Sequence, residues 1–543
     1  MTNQIKEKES PLIVKMLNEP KPIPRRVPDY MRKKGGAWYW TGAMVTVAFL
    51  YEVITGLVIL MYYQPSQAYT STENFVNNVP FGSLILTTHL YGAYMMIVLV
   101  YVHLLRNLFV AAYKKPRMMQ WITGIILLAL TVGIGFFGYS MSGDVLSADA
   151  TDVGVGIARG IPFLGNYLAL IFFGDGTPTS LFHRMLGWHV VLAAGIGVLF
   201  LGHFIMAEYN SIMPSHKDAN YRAPAIDEEK PEYKPWYPHN LLYMLELGTL
   251  TLAVILIVTS VIAALGNSVP ALFSPFPQVA PSSPLAQNVP AYPPWFLLFV
   301  YKAVDFSFMA GPGPFYATLI FAGIPVLYLL LIPFLDKSPS LKLTERPMTL
   351  AMGILGVIFF ISLSAWGALT PGVAIPDLEV ALFFAIPILT VIPLVYFLVR
   401  NYTKTGLDAT HFTQLALALS FLGISAFGLG MLLDALIRTS NGVYYVPTVL
   451  MTMVVSLLVT LVAYTIWHSK HEAEKKAVRP ISRRVRNTIG GAFTLGGFII
   501  ITVITPFSAT SVFQESLFGI GLGIVFLIAA ANLKLYRSVA LGE

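Results

Sequence analysis

Residues 88–107 read "THLYGAYMMIVLVYVHLLRN". Most of these side chains are apolar, and a run of roughly 20 such residues is long enough to cross a bilayer as a helix. Two histidines interrupt it, His89 and His103, 14 residues apart. An imidazole in hydrocarbon is costly unless something binds it. A second stretch repeats the pattern. Residues 183–204, "HRMLGWHVVLAAGIGVLFLGHF", place His189 and His203 at the same spacing of 14. Fourteen residues rise roughly 21 Å along a helix and rotate through about 1400°, within about 40° of four full turns. Each helix therefore presents two imidazoles on one face, at two depths.

The whole chain supports a membrane setting. Of its 543 residues, 56% are hydrophobic and only 12% charged. The mean hydropathy is +0.68. The fold class expected is an all-α integral membrane protein. Spans are expected near 41–62, 83–112, 120–141, 183–207, 240–265, 315–334, 348–369, 380–399, 411–433, 446–467, 488–505 and 513–532. The first 36 residues are polar and Pro-rich, without the apolar core of a cleavable signal peptide. Cysteine is absent, which excludes disulfides, a thiolate-bound iron–sulfur cluster and thioether-linked haem within this chain. The net charge of +7 is read as topology, not as a nucleic-acid footprint. Of the 35 Lys and Arg, 30 fall on one side of the twelve-span arrangement. The positive-inside rule then puts both termini in the cytoplasm of a multi-pass plasma-membrane protein.

In that topology the two His-bearing spans run inward together. His89 and His189 lie near the outer surface, and His103 and His203 near the inner one. A haem with one axial His from each helix would satisfy the rings at each level. The alternative for a single intramembrane His is a hydrogen-bonded bundle residue or a proton relay. Zinc or copper would need further ligands near each pair. The glycines repeat the ruler. Gly42 and Gly56 lie 14 apart on the first span, and Gly124 and Gly138 lie 14 apart on the third. Each level is thus expected to hold two His and two Gly, the glycines leaving room for the macrocycle edge. Glu52 and Glu246 are intramembrane acids and therefore functional candidates. Glu52 stands one turn before Gly56, within reach of the outer level.

This arrangement resembles the cytochrome b family of quinol-oxidising complexes of the bc1 and b6f type. The resemblance rests on His89, His103, His189 and His203, on the two glycine pairs, and on arginines at Arg106 and Arg184. It extends to "GYSMSGD" at 138–144. It is strong over about 37–210 and weaker over about 236–370. It implies metal ligation by the four histidines of two haems, protohaem or an A-type haem, with Arg106 and Arg184 against propionates. It also implies quinol oxidation on the outer side, with a Rieske iron–sulfur protein and terminal oxidase subunits as partners. The family's outer quinol motif is Pro-Glu-Trp-Tyr. Here "YPPWFLLFVY" (292–301) reads Pro293, Pro294, Trp295, Phe296, so Pro294 stands where the family has its proton-accepting Glu. Tyr139 and Tyr301 match family aromatics. Asp144, Asp149 and Asp305 are the acids left to take the proton. On the inner side Glu208 stands where the family often has a His, and His239 lies in "YPHNLLYMLELG" (237–248).

The resemblance divides the chain into a cytoplasmic segment (1–40), a dihaem four-helix bundle (41–210), a second part bearing the quinol loop (211–370), and additional spans (371–543). The additional spans resemble extensions found in archaeal quinol oxidase complexes and are expected to pack against partner subunits. Two other functions stay open: a haem-bearing membrane anchor or electron carrier with no quinol site, and a His-lined transporter.

Overall fold

A bilayer offers no water to an unpaired backbone amide, so a spanning segment must close its hydrogen bonds internally. The apolar runs are helices in the computed structural model, which describes residues 12–18, 25–33, 36–213, 233–405, 482–504 and 509–542. Among these residues, nine helices are long and apolar enough to cross a membrane, and 487–503 form a shorter apolar helix. The spans expected at 411–433 and 446–467 lie outside the described residues.

Four helices carry the histidines and glycines: α1 (Thr41–Leu60), α2 (Gly82–Phe109), α3 (Met118–Ser140) and α4 (Pro178–Asn210). They pack as two pairs, α1 on α2 and α3 on α4. Helix α5 (Leu241–Leu265) lies against α1 and α2. One end of the bundle, the loop side, carries the short helices Val145–Arg159 and Gly165–Phe173 and the irregular segment 266–313. The other end, the basic side, gathers the N-terminal segment and the turns at 110–117 and 336–346. There Val27–Pro28 pairs antiparallel with Tyr233–Lys234.

Buried arginines on the basic side close the helix ends. The last carbonyls of a helix have no partner within it and attract cations. Arg117 donates to the carbonyls of Asn210 (2.8 Å) and Ser211 (3.2 Å), at the end of α4. Arg346 donates to the Phe109 carbonyl (2.6 Å) and to the Tyr113 hydroxyl (2.9 Å), at the end of α2. The charges that mark the basic side in the sequence therefore also terminate the two His-bearing helices.

The opposite end of α2 is held by the far end of the chain. Helix α6 (Val512–Tyr536) packs along α5 and also touches α2. Gly519 admits this approach, since a Cβ there would stand 2.1 Å from Ser260 Oγ. Glu515, only 5% exposed, accepts from the amides of Phe81 (2.8 Å) and Leu84 (3.1 Å) at the N-terminus of α2. The last of the additional spans thus braces a His-bearing helix of its own chain. Glu246 is likewise structural. Its carboxylate accepts from Arg537 Nη1 at 2.5 Å, and that guanidinium lies over the Tyr243 ring.

Glu515→Ala leaves two amides without their acceptor, at a cost of about 1–3 kcal/mol each. The detergent-solubilised protein should melt at a lower temperature than the parent, while Glu515→Gln, which keeps one acceptor, should lose less. Equal melting of all three would contradict the cap.

Candidate functional site

The four imidazoles stand at two levels. At the loop-side level the rings of His89 (α2) and His189 (α4) approach edge to face, with centroids 6.4 Å apart and planes at 64°. At the basic-side level His103 (α2) and His203 (α4) are near enough to interact electrostatically. Two metal–nitrogen bonds of about 2 Å, with the ring radii added, span about the separation seen at the loop-side level.

Each glycine of the repeated ruler touches one ring. A Cβ on Gly42 would meet His103 Cε1 at 3.2 Å, on Gly56 His89 Cε1 at 3.2 Å, and on Gly124 His203 Cε1 at 3.2 Å. On Gly138 it would meet His189 Cε1 at 2.9 Å. The glycines sort by level, Gly42 and Gly124 beside the basic-side rings and Gly56 and Gly138 beside the loop-side ones, and each leaves room for the edge of an imidazole.

The residue before each glycine completes the seat, and the sequence reading missed it. Thr41, Thr55 and Thr123 each stand one position before their glycine. Thr41 Oγ1 lies 2.9 Å from His103 Nδ1, Thr55 Oγ1 2.9 Å from His89 Nδ1, and Thr123 Oγ1 3.1 Å from His203 Nδ1. The fourth position is Phe137, with no hydroxyl, and there the Ile134 carbonyl lies 3.1 Å from His189 Nδ1. The repeated Thr-Gly dipeptide was the signal available. With Nδ1 engaged, Nε2 is the nitrogen each ring can offer a metal. On His103 the Asn107 amide lies 3.0 Å from Nε2, so ligation there requires that amide to turn aside.

Arg106 is buried, 3% exposed, and donates to Asn107 Oδ1 (2.7 Å) and the Met213 carbonyl (2.9 Å). Its Nε has no partner. Arg184 is exposed and reaches only the Ile171 carbonyl, at 3.4 Å.

A separate cavity of about 290 Å³ opens on the loop side, lined among others by Asp149, Tyr292, Pro293, Tyr301, Lys302 and Asp305. Tyr301 donates to the Ala150 carbonyl (2.8 Å) and Tyr139 to the Tyr292 carbonyl (3.1 Å), which tie the two walls together. Of the "PPWF" residues only Pro293 lines the cavity. Pro294 precedes a turn of 3-10 helix, Trp295 meets Tyr94 edge-on, and Phe296 is 1% exposed and packs toward Gly135. The candidate acids separate cleanly. Asp144 caps helix Val145–Arg159 through Ser147 N (2.9 Å) and also accepts from Gln278 N (2.7 Å). Asp305 is paired with Lys302 Nζ at 3.1 Å. That lysine is 1% exposed and also donates to the carbonyls of Thr370 and Val373. Asp149 makes no ion pair among the described residues. Burial first, then the charges of Asp152 and Asp144, push its carboxyl above the ordinary range. Burial also raises Asp305, against the lowering by Lys302.

On the basic side a pocket between Arg25, Trp40, Glu208, Trp236 and Asn240 has a volume of about 20 Å³, room for about one water. It takes in Glu208 but not His239.

A family model described as cytochrome b (N-terminal)/b6/petB matches residues 94–281. The chain is 39% identical over 403 residues to a cytochrome b of Sulfolobus acidocaldarius, covering 72% of this chain and 70% of that one. It is 27% identical over 343 residues to a cytochrome bc complex cytochrome b subunit of Chlorobaculum thiosulfatiphilum, covering 61% and 75%. A solved structure titled hyperthermophilic respiratory Complex III aligns with TM-score 0.53 at 24% identity, covering 66% of this chain and 91% of that one, and shows a shared fold.

Gly138→Val should push the His189 ring off its seat and reduce bound haem in the purified protein. Gly133→Val, where a Cβ meets nothing within 4 Å, should leave the haem content unchanged. Equal haem in both variants would separate the glycine from the imidazole's placement.

Proposed function

Since the chain belongs to the cytochrome b family, we propose that it carries electrons across the plasma membrane in a respiratory quinol-oxidising complex. Two haems would be held between the helix pairs, one by His89 and His189, the other by His103 and His203. They are protohaems or an A-type haem. The observation that carries this reading is the close His89–His189 pair, centroids 6.4 Å apart, each ring backed by a glycine and held through Nδ1. Two imidazole nitrogens from facing helix pairs are a donor set that would hold a haem iron. When bound, the two haems supply one-electron chemistry at two depths.

The chain's own residues supply the rest. The threonine hydroxyls and the Ile134 carbonyl fix the ring planes, which sets the Nε2 lone pairs toward the space between helix pairs. Apolar side chains exclude water from that space. Arg106, with an unpartnered Nε, is the cation available to a propionate on the basic side. Arg184 is free to turn toward one on the loop side. Both termini lie in the cytoplasm, as the lysine and arginine distribution favours. Residues 41–210 form the dihaem unit and 211–370 the part that completes the quinol cavity.

Quinol enters the loop-side cavity, which is of the size of a small-ligand site. Pro294 cannot accept a proton, and we assign that role to Asp149. A base must be ionised to act, and Asp149 titrates above the ordinary carboxylate range. Turnover should therefore rise with pH through that raised value. Tyr301 and Pro293 shape the wall. A Rieske-type iron–sulfur protein docks on the same side and takes the first electron, and terminal oxidase subunits are the onward partners. Membrane lipid surrounds the bundle.

Pyridine haemochrome and reduced-minus-oxidised spectra should find two low-spin haems per chain. His103→Leu should keep one of them. Fewer than two in the parent would sink the dihaem reading. Asp149→Asn should lower quinol-oxidation kcat by about 10²-fold or more and remove the rise with pH, with both haems retained. An unchanged profile would move the proton to another group. Haems intact with no quinol oxidation by the parent would leave an electron carrier without a quinol site.

A further inference from the structure

The four ring seats are not equivalent. Three Nδ1 atoms meet neutral oxygens: the hydroxyls of Thr41 and Thr123 and the Ile134 carbonyl. His89 Nδ1 meets the Thr55 hydroxyl and also Glu52 Oε2, at 3.0 Å. Glu52 is 8% exposed, and its other oxygen, Oε1, is buried without a hydrogen-bond partner. The niche for this carboxyl is built by α2. A Cβ on Gly92 would stand 2.1 Å from Glu52 Oε1. A carboxyl in hydrocarbon is expensive, and nothing in the packing of α1 on α2 calls for one at this position. The basic-side level has the opposite neighbour. The buried guanidinium of Arg106 stands three residues after His103 on the same helix.

We infer that Glu52 is a positioning residue for His89: its carboxyl, seated against Gly92, orients the ring through Nδ1, raises its donor strength and so lowers the reduction potential of the haem that His89 would hold below the value it would have without this contact. A carboxyl oxygen that accepts from the free N–H of a ligating imidazole fixes its tautomer and raises its basicity. A more basic ligand stabilises ferric over ferrous iron. The site is water-excluded, so the interaction is little screened. The Arg106 cation biases the other level the opposite way. The inference rests on the dihaem reading proposed above.

The test is an equilibrium redox titration of the full-length protein in nanodiscs, together with low-temperature EPR of the two low-spin ferric signals. The parent must first show two haems; if it does not, the dihaem reading itself has failed. Glu52→Gln should shift the reduction equilibrium of one haem at least tenfold toward the reduced form, about 59 mV for a one-electron couple. It should move the g-values of one EPR signal and leave the other haem in place. In the His103→Leu background the remaining haem should be the one that shifts. Gly92→Ala keeps Glu52 but displaces its carboxyl from Nδ1, and should shift the same haem in the same direction. This second variant decides the matter if Glu52→Gln fails to assemble. Two haems with unmoved potentials in either variant, or a shift confined to the haem lost in His103→Leu, would overturn the inference.

Discussion

An imidazole can be placed inside a membrane only if its ring has a seat and its nitrogens have partners. Here the seat is a glycine and the first partner is the residue just before it. The pairing Gly42–His103, Gly56–His89, Gly124–His203 and Gly138–His189 requires two helices on each side in fixed axial register. A slip of one residue would bring a side chain into the ring and move the hydroxyl away from Nδ1. The rest of the structure can be understood as what holds that register.

The ends of the His-bearing helices carry this burden. Helix α2 is gripped at its start by Glu515 and at its end by Arg346, and α4 at its end by Arg117. The signs match the helix dipole, with a carboxylate at the N-terminus and guanidiniums at the C-termini. These groups come from segments remote in sequence, so the chain closes on itself through its helix ends. This is why the last span belongs to the bundle and why Glu246 is answered by Arg537. Buried pairs of this kind hold position more than they add stability.

The loop-side cavity follows from a different economy. Tyr139 and Tyr301 spend their hydroxyls on backbone carbonyls of facing walls, and Lys302 spends all its donors within the wall. Of the acids that line the cavity, Asp305 is paired with Lys302, while Asp149 and Asp152 have no ion pair among the described residues. Pro294 carries no carboxylate, and two of the acids that line this cavity, Asp149 and Asp152, come from helix Val145–Arg159.

The sequence by itself determined the helical membrane fold, the side that gathers the basic residues, and the two levels of His and Gly. Those features are periodic and local: hydropathy over about 20 residues, and a 14-residue spacing that nearly closes four helical turns. It also offered the Thr-Gly dipeptides, which went unread because a hydroxyl's role depends on which ring it meets. Only the tertiary structure decided that Glu52 reaches His89, that Asp144 is spent on a helix cap while Asp149 faces the cavity, and that Glu515 holds α2. Each of these depends on how two helices or loops meet, and some join residues more than 400 positions apart. No local pattern encodes such a contact, because its partners are set by packing and by the need to satisfy every buried polar group at once.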